Sequence, residues 1–215
     1  MKTKTITNLE IAKNIRKITF STDRPDGLIK LASEVREGVR YLTFSVNPEK
    51  EIEPYTMLTM VSEFLGLSNR KETFANAHFM GHWESVRNYA IKQIELDKRI
   101  PICISGHGIA GAIAIIAGYD LTRMHQYNIL KVVTFGAPRS LNKKKINDHF
   151  LYLLHKVSTN YVLPNDKLPK MFRFSKYDNI KQNRLILKDR CLSGVCYDDY
   201  SSIDSYIKCL AVEAK

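Results

Sequence analysis

Glycine and proline are sparse in this sequence, 10 and 7 in 215 residues, which excludes a collagen-like or low-complexity chain. Cysteine is scarcer still: Cys103, Cys191, Cys196 and Cys209 are the full set. Cys191 and Cys196 stand five apart with no histidine after them, which argues against a zinc site, and no metal or other cofactor is expected. A secretory signal is missing as well. Met1-Lys2-Thr3-Lys4-Thr5-Ile6-Thr7 runs into Asn8, Glu10, Lys13 and Arg16 with no apolar core. The expectation is a cytoplasmic protein whose four thiols stay free in a reducing compartment. The uncharged stretch from Ile100 to Tyr119 has the length of a membrane span. It carries Ser105-Gly106-His107-Gly108 where a span is most apolar, so no transmembrane segment is expected.

Negative charge is the other deficit. Asp and Glu number 22 against 33 Lys and Arg, a formal net charge of +11. Such a balance suits a nucleic-acid partner, an anionic membrane surface or an acidic macromolecule, and equally a lysine-rich solvated face. What is present is ordinary for a globular chain: 44% of residues are hydrophobic, enough for one domain over 1–215 with its own core.

Periodicity supplies the elements. Leu28, Ala32, Val35 and Val39 recur at helical spacing after Pro25-Asp26-Gly27, predicting a helix there. Arg40 to Val46 reads as a strand that stops at Asn47-Pro48. Helices are expected over 55–65 and from Trp83 to Leu96, the latter with Trp83, Val86, Ala90 and Ile94 on one stripe. A short strand at 102–105, a glycine-rich turn, a helix from Ile109 to Met124 and a strand at 131–135 follow. Beyond Lys143-Lys144-Lys145 come a helix bearing Ile146, Phe150, Leu153 and Leu154, strands at 161–163 and 185–187, and a last helix with Ile203, Tyr206, Ile207 and Leu210. This alternation predicts an α/β fold in three layers, a mostly parallel central sheet with helices on both faces.

The turn after the short strand is the informative feature. In Ser105-Gly106-His107-Gly108-Ile109-Ala110-Gly111-Ala112, glycines flank the central residues of a sharp strand-to-helix connection. Gly106, Gly108 and Gly111 also match a dinucleotide fingerprint literally, but no acidic residue stands about twenty positions on, where Asn128 to Lys131 lie. The segment from Gly106 to Ala114 resembles the nucleophile elbow of class 3 (fungal-type) lipases, Gly-His-Ser-Leu-Gly-Gly-Ala-Leu-Ala. Thr134-Phe135-Gly136-Ala137-Pro138-Arg139 is similar to the same family's Thr-Phe-Gly-Ala-Pro-Arg, and Ala77-His78-Phe79-Met80-Gly81-His82-Trp83 resembles its Val-His-x-Gly-Phe. The three lie in the family's order and spacing. The resemblance implies an α/β-hydrolase fold and an ancestral activity on acyl esters.

The same resemblance exposes what is missing. The family's nucleophilic serine falls on Gly108, which has no side chain. A hydrolase of this type orders its triad Ser, acid, His along the chain. The six histidines here are His78, His82, His107, His125, His149 and His155, so none follows Asp166. Asn165-Asp166-Lys167-Leu168-Pro169 is similar to the family's Asn-Asp-x-Val-Pro and makes Asp166 the remnant of the acid; a second register puts Tyr161 there. Ser201 stands where the base belongs, in Ser201-Ser202-Ile203-Asp204-Ser205-Tyr206. The oxyanion hole would draw on the backbone of Ile109 and on Ser45 and Val46, where the family has Arg-Gly-Thr. His107, beside the missing serine, belongs to the elbow together with Gly106 and Gly111, as a structural histidine. An engineered Ser-to-Gly change at Gly108 would explain only one of the two losses. The sequence therefore supports a pseudoenzyme that binds a lipid-like ligand or a macromolecular partner. Against it stand an active esterase with a rearranged site, Ser105 being one alternative nucleophile, and a basic adaptor for nucleic acid or an acidic protein.

Overall fold

The computed structural model describes residues 7–19, 29–46, 74–124, 127–170, 177–178, 184–187 and 202–213. In chain order the elements are α1 (Asn8–Thr19), β1 (Ile29–Arg36), β2 (Val39–Val46), α2 (Ala77–Glu95), β3 (Ile102–His107) and α3 (Gly108–Arg123). There follow β4 (Ile129–Phe135), β5 (Leu141–Asn142), α4 (Asp148–Val157), β6 (Ser158–Val162), β7 (Tyr177–Asp178), β8 (Arg184–Ile186) and α5 (Ile203–Glu213). Six strands form one sheet in the order β1-β2-β3-β4-β6-β8, and β5 pairs with β7 separately. Every neighbour in the main sheet is parallel except β1 and β2.

Alternation along the strands builds a core on each side. Leu42, Phe44, Ile102, Ile104 and Val132 face α2, α3 and α4, with Phe79, Trp83, Ile94, Ile113 and Leu154 among the residues they meet. Tyr41, Cys103, Val133 and Phe135 face the other way, onto Ile11, Ala12 and Ile15 of α1 and Ile203, Tyr206 and Leu210 of α5. This is the expected three-layer arrangement with a mostly parallel sheet. Polar anchors tie the first layer together: the Trp83 indole N–H and the Arg87 guanidinium both donate to Asp120 Oδ2, at 3.1 and 2.8 Å.

Several expectations are corrected. The segment from Leu28 to Val39 is not a helix: residues 29–36 form β1, paired antiparallel with β2 from Ile29↔Val46 to Arg36↔Val39. The turn explains it. Glu37 (φ 50°) and Gly38 (φ 75°) are both left-handed, the conformation of a two-residue hairpin whose twist suits the flanking strands. Ile29 and Leu31 are the buried residues, two apart, and the helical stripe was a coincidence of spacing. α2 begins six residues before Trp83, because the Asn76 side chain accepts from the backbone N–H groups of His78 and Phe79 and caps it there. α1 was unread in the sequence. Its start is a capping box: Glu10 N–H donates to Thr7 Oγ1 at 3.3 Å and Thr7 N–H to Glu10 Oε2 at 2.7 Å. The thiols are not all free. Cys103 is, but Cys209 is buried and disulfide-bonded. Bridging depends on distance in the fold, which sequence spacing does not report. The expected helix over 55–65 lies outside the described residues, as do Cys191, Cys196 and Ser201. Among the described residues, no helix is long and apolar enough to cross a membrane.

Candidate functional site

Backbone packing fixes the turn between β3 and α3. A Cβ on Gly106 would lie 2.4 Å from the carbonyl oxygen of Ala110, and one on Gly111 would lie 3.1 Å from that of Gly106. Only bare backbone lets the strand end and the first helical turn approach this closely. Gly108 differs. Its φ of +57° is the left-handed conformation of an elbow apex, yet a Cβ there would meet only Leu168 Cδ1, at 3.4 Å, ordinary contact. The apex faces space.

That space is a pocket of about 200 Å³ lined by Ile15, Ser45, Val46, His107, Gly108, Ile109 and Leu168. Sheet register brings the two strand ends together: Phe44 pairs with Gly106, so Ser45 and Val46 run on beside His107 and Gly108. Ile109 belongs to the first turn of α3, whose cap residue His107 gives no side-chain hydrogen bond to the helix. The backbone N–H groups of such a turn have no partner within their own helix and carry the positive end of its dipole. The fold thus gathers the elbow and the oxyanion-type residues around one cavity. It adds Ile15 of α1 and Leu168, which the sequence did not suggest.

The acid position lies at the same edge of the sheet. Asp166 is 1% exposed. Its Oδ1 accepts from the Leu168 N–H at 2.9 Å and its Oδ2 from the Tyr206 hydroxyl at 2.5 Å. Burial pushes its carboxyl above the usual carboxylate range, opposed by those two hydrogen bonds and by the charge of Lys170. The Tyr206 ring meets the edge of His107 with centroids 5.7 Å apart, so a buried chain of contacts runs from Asp166 to the pocket wall. Gly136, at φ +62°, makes room for it: a Cβ there would strike Asp166 Oδ2 at 2.5 Å and the Tyr206 hydroxyl at 2.7 Å.

Tyr161, the other register for the acid, sits within β6. Its ring stacks on Phe135 with centroids 5.4 Å apart, and its hydroxyl takes a hydrogen bond from the Asn8 amide. Ser105 is 1% exposed, with its hydroxyl 3.3 Å from that of Thr43 inside the sheet rather than at the pocket. The Lys143-Lys144-Lys145 run forms an exposed turn whose backbone N–H groups at 144 and 145 bond to Asn142. Among the described residues there is no group of three or more His, Cys, Asp or Glu that could hold a metal ion.

Comparison with solved structures finds this architecture in fungal lipases. A mono- and diacylglycerol lipase from Aspergillus oryzae is 19% identical with a TM-score of 0.50, over 67% of this chain and 52% of that one. A mutant form of MDLA from Penicillium cyclopium is 14% identical with a TM-score of 0.56, over 78% and 62%. A lipase from Rhizopus microsporus var. chinensis is 16% identical with a TM-score of 0.51, over 81% and 73%. The chain thus spans 52% and 62% of the length of the first two lipases, and identities this low speak for the fold alone. Among curated proteins no sequence matches. The family model for lipase (class 3) matches residues 35–176, more than half of the chain and the part that contains β2, the elbow, Gly136 and Asp166. By that match and this fold, the chain belongs to the class 3 lipase family.

Proposed function

We propose that this protein binds an acyl ligand at the elbow without hydrolysing it. The observation that carries the reading is Gly108: an elbow apex in left-handed conformation, opening on a largely apolar pocket, with no hydroxyl to attack from. Ile15, Val46, Ile109 and Leu168 offer the pocket an aliphatic wall, and the first turn of α3 offers backbone N–H groups to a carbonyl or carboxylate oxygen. About 200 Å³ is less than small-molecule sites commonly enclose, so the pocket takes the polar end of the ligand and its first few carbons. The name of the relative from Aspergillus points to acylglycerols, which makes a fatty acid or monoacylglycerol the first ligand to try.

Magnitude supports the loss of hydrolysis. Removing either the serine or the histidine of a hydrolase triad costs roughly a millionfold in turnover, and about 10³ to 10⁴ over water survives on binding and oxyanion stabilisation alone. Here the serine position is Gly108 and no histidine follows Asp166. The Asp166 carboxylate instead accepts from Leu168 N–H and Tyr206 O–H, one donor on each oxygen.

The test pairs hydrolysis with binding. Short-chain p-nitrophenyl esters should be cleaved at no more than about 10³ to 10⁴ times the buffer rate, and a fluorophosphonate should label no serine. A fluorescent fatty acid should bind saturably, compete with monoacylglycerol and be lost on Leu168→Trp, which fills the pocket. Ester turnover abolished by the phosphonate would overturn the reading.

A further inference from the structure

The first turns of α2 carry a second feature that the elbow does not use. His78 and His82 lie one turn apart on the helix, the i, i+4 spacing that puts two side chains on one face. Their Nε2 atoms approach to 3.2 Å, with ring centroids 4.6 Å apart and planes at 89°. Gly81 lies between them in the chain, exposed, and a Cβ built on it would meet nothing within 4 Å, so that side of the helix turn is open. Both rings are half-buried.

We propose that His78 and His82 form a bidentate site for a divalent transition-metal ion. Imidazole nitrogen binds zinc at about 2.0–2.1 Å. Two such bonds spanning the observed 3.2 Å subtend roughly 100–106° at the ion, between octahedral and tetrahedral values. The Nε2 separation is therefore already one that a single ion could bridge. Without metal the same approach is a hydrogen bond in which one Nε2–H donates to the other Nε2. Coordination of the neutral pair needs both Nε2 lone pairs. The ring holding Nε2–H therefore passes that proton through solvent to its own Nδ1, with no net release.

Donor chemistry selects the ion. Two imidazoles suit Zn²⁺, Ni²⁺ and Cu²⁺, whereas Ca²⁺ and Mg²⁺ want several oxygen ligands. No third His, Cys, Asp or Glu joins the pair among the described residues, so water fills the remaining positions on the Gly81 side. The buried neighbours Phe79 and Trp83 hold the helix beneath, and Asn76 caps its start, so the pair is presented by a fixed element. A bound ion would clamp the opening turns of α2.

The full chain, stripped with a chelator, is titrated with Ni²⁺ or Zn²⁺ and followed by thermal denaturation. At a hundredfold excess over the dissociation constant a ligand specific for the native state adds about 2.7 kcal/mol, which raises Tm by roughly 5 to 10 °C in a protein of this size. His82→Ala should abolish the shift, while Mg²⁺ should give none in either protein. Because His82→Ala also removes a half-buried ring, a second measurement uses the unaltered chain. Substoichiometric Cu²⁺ should broaden backbone amide signals centred on residues 78–85. A shift that survives His82→Ala, no shift in the unaltered chain, or broadening centred elsewhere overturns the site.

Discussion

Substitution of Gly108 by serine separates a glycine that the fold requires from one that only occupies a site. The backbone there has φ +57°, where a residue with a Cβ costs about 1–2 kcal/mol. Steric cost adds little, since the new Cβ would touch only Leu168 Cδ1 at 3.4 Å and the hydroxyl would enter the pocket. For a chain of this length each kcal/mol lowers Tm by roughly 2–4 °C, so Gly108→Ser should cost about 2–8 °C and leave a cooperative transition. Gly106→Ala is the contrast. Its Cβ would fall 2.4 Å from the Ala110 oxygen, 2.7 Å from the Ala110 carbonyl carbon and 2.9 Å from the Gly111 nitrogen, all backbone. The strand end and helix must then separate, at about 3 kcal/mol or more. Urea denaturation of the two variants beside the parent measures both. Equal losses, or a larger one for Gly108→Ser, would mean that the apex is packed rather than open, and the pocket argument would fall with it.

Other consequences follow from the same contacts. Adding Ser201→His to Gly108→Ser should raise p-nitrophenyl ester turnover well above Gly108→Ser alone; no gain would show that the acid and oxyanion positions do not align. Asp166 is buried with its carboxyl shifted upward, so the folded state holds a proton that the unfolded chain releases at lower pH. Stability from this group is full below the unfolded pKa and falls as pH rises through the folded one. Asp166→Asn should flatten that part of the stability–pH curve just above the ordinary carboxylate range, and an unchanged curve would refute the assignment. Burial pushes the Cys103 thiol up to about 12, so native protein should leave it unmodified by iodoacetamide. Reduction should destabilise the chain by about 2–4 kcal/mol through the Cys209 disulfide, and a Tm insensitive to reductant would contradict that bond. Lys13, Arg16 and Lys17 are exposed on α1, one helix face from Ile15. Vesicles containing phosphatidylserine should therefore retain the protein at low salt and release it at high salt, and Lys13→Glu with Lys17→Glu should weaken retention.

The sequence disclosed most where local chemistry and long-range packing ask for the same residues. Gly106 and Gly111 are readable as an elbow because the demand is local, two backbone segments in contact within six residues. The strands at Ile102 and Val132 are readable because both faces are buried and the runs are continuously apolar. β1 was misread for the opposite reason. It is an edge strand buried mainly at Ile29 and Leu31, so half of its pattern is free to mimic a helix. The overlooked signal was Glu37-Gly38, a two-residue hairpin turn. The signal for α1 is the pair Thr7 and Glu10, three apart, which only their reciprocal hydrogen bonds distinguish from the charged and polar residues around them. The contacts among Asp166, Tyr206 and His107 could not be read at all, because residues forty and more positions apart meet only when β3, β6 and α5 are assembled.

The glycines of the site explain how a class 3 lipase architecture can be recognised in a chain whose elbow apex is Gly108. A side chain on Gly106 or Gly136 would meet Ala110 or the Asp166–Tyr206 pair at 2.4 and 2.5 Å, so the fold itself enforces glycine there, while one on Gly111 would press on Ala137 Cβ at 3.0 Å. At Gly108 nothing is enforced except a left-handed backbone, which glycine adopts more readily than serine. A serine there would cost stability, and on the binding reading proposed above it would return no turnover. Steric constraint preserves the glycines that mark the family and leaves the apex, which faces open space, without such a constraint.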